Sequence, residues 1–162
     1  MTVSTYYFDA SDSAASGWTN PANAFDGSTS TYAWISSSTG GCTAEGTTAP
    51  GSGGTISQVR LRFYGKGNGE IATECEARIE SSSGEDLGSA YIDTTSISWS
   101  DWALLQTPAG GWTWPKLQAL HCRFWVGTSS TTDARAYRAE IVVTTHVSHP
   151  AIENWVSADS GG

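Results

Sequence analysis

Apolar and polar positions alternate with a period of two through most of the chain. Between residues 56 and 64, Val59, Leu61 and Phe63 share one face, and Arg60, Arg62 and Tyr64 share the other. That is the pattern of a strand with one face buried and one face wet. Residues 70–81 repeat it: Ile71, Thr73, Cys75, Ala77 and Ile79 oppose Ala72, Glu74, Glu76, Arg78 and Glu80. The glycine-rich turn at 65–69 between these runs predicts that they pair as a hairpin. A third long run covers 134–147, with Tyr137, Ala139, Ile141 and Val143 against Arg138, Glu140 and Val142. Shorter strand-like runs lie at 2–8, 87–92, 96–105 and 120–126.

Polar or Gly/Pro-rich turns separate the runs at 9–17, 82–85, 108–111 and 127–133. Residues 18–27 and 112–120 each predict an ordered connection with one short helical turn. Residues 36–54 are rich in Ser, Thr and Gly and contain Pro50, which predicts an exposed loop. Loops of that length are uncommon unless they have a role or are mobile. No long helical period occurs. The expected class is therefore all-β: a β-sandwich of about eight antiparallel strands. Residues 1–147 form one domain, and 148–162 form a tail. Trp155, beyond the last strand, suits that tail to docking on this domain or a neighbour.

Composition supports the class and narrows the partners. Only 15% of the 162 residues are charged, against a usual share of about 25%. The net charge of −8 argues against nucleic acid, whose binding rests on Lys and Arg neutralising phosphates, and against an anionic membrane surface. No apolar run is long enough for a spanning helix. The start, Met1, Thr2, Val3 and Ser4, lacks the basic and apolar regions of a secretory signal. A chain that works outside a cell would then leave by another route or have lost its leader, and a virion component released by lysis needs none; the expected location is virion or extracellular. Three cysteines allow at most one disulfide within the chain. Cys75 and Cys122, in strand patterns, read as small buried hydrophobes; a disulfide involving Cys42 in its glycine-rich stretch is the alternative.

The residues give little support to catalysis. No nucleophile elbow, zinc-protease helix or phosphate-binding loop is present. His121, His146 and His149 follow no metal-ligand spacing, and Glu74 and Glu76 read as a wet, partly paired face beside Arg78. The expectation is a chain that is not an enzyme. Eight tryptophans are the more telling feature. Trp18, Trp34, Trp112 and Trp114 fall in loops and are candidates for stacking on sugar rings, whose C–H faces are apolar. Core packing is the competing reading for each. Trp99, Trp102 and Trp125 lie in strand patterns and read as core or rim.

The segment from Asn23 to Thr31, with Asp26 and Gly27 at its centre and Trp34 close behind, resembles the opening signature of discoidin-like, galactose-binding-like jelly rolls. Ala139 and Glu140 are similar to the Ala-Glu pair on a late strand of that family. The family's Thr-x-Trp spacing is one residue longer here, from Thr31 to Trp34. Gly111, Trp112, Thr113 and Trp114, followed by the run 117–126, resemble bacteriophage structural and tail-associated proteins. The resemblance covers residues 18–145. It implies a jelly-roll fold and either of two functions: a virion module for capsid decoration, tail or fibre, or a carbohydrate-binding module of a secreted protein. It implies other virion proteins or its own copies as partners, in a homo-oligomer, with host glycans as ligands. It also implies a structural Ca²⁺ held by Asn23, Asp26, Ser28, Thr31, Ala139 and Glu140, oxygen donors of the kind calcium takes in sets of about six to eight.

Overall fold

A computed structural model describes residues 1–9, 17–69 and 75–146. They form an all-β sandwich of two antiparallel sheets. In chain order the strands are β1 (Thr2–Tyr7), β2 (Ala33–Ile35), β3 (Gly40–Glu45), β4 (Thr55–Lys66), β5 (Cys75–Glu80), β6 (Asp86–Tyr91), β7 (Ser98–Trp99), β8 (Ala103–Leu104), β9 (His121–Val126) and β10 (Ala134–His146). One sheet runs β1-β10-β4-β7, with β2 on β10 and β8 on β4; the other runs β3-β9-β5-β6. A single 3₁₀ turn, Pro21–Ala24, and one short helix, α1 (Trp114–Gln118), stand where short helical turns were expected. Thr113 caps α1 by accepting a hydrogen bond from the Lys116 amide.

The alternation of β4 survives in three dimensions: Val59, Leu61 and Phe63 are buried, while Arg60, Arg62 and Tyr64 are half-buried on the outer face. β5 and β10 supply Ala77, Ile79, Ile141 and Val143 to the same core. Phe124 of β9 fills its centre, with ring centroids 5.3 Å from Phe25 and 5.4 Å from Phe63. Each side chain of this size buried from water contributes about 1.5–3 kcal/mol.

Four expectations are corrected. First, β4 and β5 are not a hairpin: β4 pairs with β10, β7 and β8, and β5 pairs with β6 and β9. Their apolar faces belong to opposite sheets and meet across the core instead of lying side by side. Second, the stretch 36–54 is no exposed loop throughout, since it contains β3, whose Cys42 and Ala44 are fully buried. Third, the strand predicted at 96–105 is two short pairings, β7 and β8. They flank Ser100, whose hydroxyl accepts from the Phe63 amide at 3.1 Å. Together with β3 and the short β2, these bring the strand count to ten, against about eight expected. Fourth, Tyr137 leaves the core face. A bulge between Ala136 and Arg138 adds it to the strand, and its ring packs against Tyr64 and Tyr32 on the outer side.

Two glycines read as turn or loop formers are needed for close approach. Gly65 continues β4 instead of ending it, and a Cβ there would lie 2.3 Å from the Arg135 carbonyl oxygen. A Cβ on Gly41 would meet Arg123 Nε at 2.7 Å and Trp125 Cε3 at 3.0 Å, so its absence lets both side chains lie across β3. The tail 148–162, with His149 and Trp155, and Glu74 of the acidic pair lie outside the described residues.

Candidate binding surfaces

The outer face of the six-stranded sheet takes its chemistry from the wet positions of β4. Antiparallel pairing sets Arg60, Arg62 and Tyr64 opposite Val142, Glu140 and Arg138 of β10. On the other side it sets Tyr64 opposite Trp99 of β7 and Arg60 opposite Leu104 of β8. The Arg62 guanidinium carbon lies 4.0 Å from the Trp99 ring centre and 4.3 Å from that of Trp102. Arg60 lies 5.4 Å from the Trp102 ring centre. Tyr64 continues the row, 5.1 Å from Trp99 and 5.3 Å from Tyr137, and Tyr137 is 5.1 Å from Tyr32. The strand pattern had assigned Trp99 and Trp102 to core or rim. They lie at the sheet edge, as the rim reading has it, and form a cation–π row on its outer surface, where Trp102 keeps 37% of its area exposed. The signal was present in the sequence: cations and an aromatic at alternate positions 60, 62 and 64.

The row ends at a cleft of ≈ 360 Å³ lined by Tyr32, Trp34, Asp133 and Arg135. Arg135 lies 4.5 Å over the Tyr32 ring and is paired with Asp133, which also accepts from Lys66 Nζ at 2.7 Å. Partial burial alone would raise the Asp133 carboxyl. The hydrogen bonds and charges of Lys66 and Arg135 outweigh it and hold the group below the ordinary carboxylate range. The hydrogen bond that Arg135 donates to Asp133 pushes the guanidinium further up in turn. Five of the eight Lys and Arg residues of this acidic chain, Arg60, Arg62, Lys66, Arg135 and Arg138, stand along this row.

The four loop tryptophans separate. Trp34 lines the cleft just described. Trp18 is half-buried, packs against the core and donates from Nε1 to the Gly40 carbonyl at 3.1 Å. Trp112 and Trp114 line a second cleft of ≈ 360 Å³ with residues 51–56. Trp114 is largely used by the chain itself. Its Nε1 donates to the Gly54 carbonyl at 2.9 Å, and a Cβ on Gly53 would lie 2.4 Å from its ring.

Of the residues assigned to calcium, Glu140 is paired with side-chain cations, and the others are used by their own loop or strand. Asn23 donates from its amide to the Tyr32 carbonyl at 3.3 Å. Asp26 accepts from the Ser28 amide at 2.8 Å and from the Thr31 hydroxyl, so both its oxygens serve its own loop. Ala139 is buried opposite Phe63. The Glu140 carboxylate is 4% exposed and held by two guanidinium groups, Arg62 at 2.5 Å on Oε1 and Arg138 at 3.1 Å on Oε2. Arg138 also donates to the Gly27 carbonyl at 3.0 Å. The Asp26–Gly27 loop is thus tied to Glu140, as the resemblance implies, but through a side-chain cation. Two guanidinium groups against the principal carboxylate do not fit a calcium shell. Among the described residues, no three His, Cys, Asp or Glu side chains converge.

All three cysteines are buried, and among the described residues none forms a disulfide. Burial pushes the Cys42 thiol up to about 12, and burial together with the Cys42 charge pushes Cys122 up. Of the acidic pair, Glu76 is buried and bridged to Arg78 at 2.7 Å. No family model, no curated protein and no solved structure matches this chain.

Proposed function

We propose that this chain is a non-enzymatic structural and binding module, a bacteriophage virion component of the capsid-decoration, tail or fibre-associated kind. It works through contacts with its own copies or other virion proteins. The observation that carries the binding role is the Trp99–Arg62–Trp102 stack on the outer sheet face. Trp, Tyr and Arg held in place before contact lose little side-chain entropy on binding, and they are the residue types that dominate protein interfaces. The virion placement rests on the likeness of residues 111–114 and 117–126 to phage structural proteins. No metal is needed to close the fold in this reading, because Arg138 supplies the cation.

A second reading, a carbohydrate-binding module, is favoured by the Tyr32–Trp34 cleft, where flat rings stand beside the Asp133 and Arg135 polar groups. Light scattering across a concentration series, with a glycan array run on the same protein, separates the two. Growth of particle mass with concentration supports assembly. A monomer that binds glycans, and loses them on Trp34→Ala, supports the second reading. A monomer silent on the array overturns both.

A further inference from the structure

The two outer faces of the sandwich carry opposite charge. On the six-stranded sheet, five cations face Asp133 and Glu140. Arg60 has no ion-pair partner among the described residues, and its Nε is shielded from water without a hydrogen bond. On the four-stranded sheet, pairing aligns Glu45, His121, Glu80 and Asp86 in one row across β3, β9, β5 and β6. Next along the same face lie Arg123 and Arg78, then Trp125, Glu76 and Tyr91. The carboxylates there outnumber the guanidinium groups. Glu45 and Asp86 are exposed, and the nearest cation to Asp86 is Arg78 at 3.9 Å. Glu76 Oε2, on a side chain 4% exposed, has no hydrogen-bond partner among the described residues.

From this polarity we infer that the occupant of the basic face is the acidic face of a second copy of this chain. The contact is heterologous, with the six-stranded sheet of one copy stacked on the four-stranded sheet of the next. Charge complementarity sets the pairing and excludes like faces. Apolar anchors stand on both sides to give the contact a dry centre: Trp102 and Leu104 at 37% and 63% exposure on one face, Tyr91 at 43% on the other. Because donor and acceptor faces differ and lie on opposite sides of the sandwich, each added copy presents a fresh face. The product is an open stack or a ring, not a two-fold dimer. The inference rests on the assembly reading above and names its partner and its surfaces.

The test uses sedimentation velocity of the whole chain and two charge reversals. Arg60→Glu spoils the basic face without breaking an ion pair, and Glu45→Lys spoils the acidic face at an exposed position. Wild-type protein at about 20 mM salt is expected to grow in mass with concentration and to fall back to protomers at about 500 mM, where such charges are screened. Each variant alone is expected to associate at least about tenfold more weakly. Mixed together, they retain one good face each and should pair into complexes of at least twice the 17.1 kDa protomer at concentrations where each alone stays protomeric. Protomers at every concentration of wild type would overturn both the inference and the assembly reading. Assembly lost in Arg60→Glu but intact in Glu45→Lys would indicate a two-fold contact and overturn the inference alone. So would a wild-type stack that neither variant disturbs, or a mixture that stays protomeric.

Discussion

Single side chains in this protein do jobs that their neighbours define. Cys42 and Cys122 sit on adjacent strands with their thiols in the core, where ionisation is opposed by burial. Native protein should therefore react with a thiol reagent far more slowly than denatured protein, a difference read directly from thiol absorbance. Asp133 behaves oppositely. Its folded value lies below the unfolded one, so its stabilising contribution is complete above the ordinary carboxylate range and is lost as pH falls through the folded value. In urea titrations between about pH 5 and pH 2, Asp133→Asn should flatten the acid loss of stability relative to wild type. An unchanged slope would mean that the Lys66 and Arg135 pairings contribute little.

At the scale of elements, the Asp26–Gly27 loop is held to β10 by the Arg62–Glu140–Arg138 cluster. Glu140→Gln leaves two partly buried guanidinium groups without their charge partner. It should cost about 3 kcal/mol, the lower end for a broken buried pair because water still reaches both arginines. Chemical denaturation measures this directly. Element-level legibility was uneven. Alternation placed β4, β5, β9 and β10 because each has one wet and one dry face, and the period of two reports that directly. It could not say which strands pair, because Val59 and Ala77 look equally inward whether they share a sheet or face each other across a core. β3 was hidden because its inward residues are Cys42 and Ala44, and its glycines serve close packing where they suggested a loop. The early loop and Glu140 were expected to be joined through an ion, whereas the Gly27 carbonyl is joined to Glu140 by Arg138, which lies two positions before Glu140 and reads from sequence as one more wet-face charge.

On the scale of the whole molecule, the internal guanidinium predicts indifference to calcium. A ligand present at about a hundred times its dissociation constant would add about 2.7 kcal/mol, so a resident ion would show as a shift of several degrees in Tm. Melting in excess calcium and in EDTA should instead coincide. A clear rise with calcium would mean that Arg138 gives way to the ion.

The position of β10 has a consequence for the order of events during synthesis. It is the interior strand of the six-stranded sheet, bonded to β1 on one side and to β4 on the other, with Thr2 paired to Thr145. Until residue 146 has left the ribosome, β1 and β4 have no strand between them, and their unmet edges and the apolar face of β4 wait in the open. Folding of this sheet should therefore wait for β10 and be slow, dominated by closing loops that span nearly the whole described chain. The interval before β10 arrives is when aggregation competes most strongly with folding.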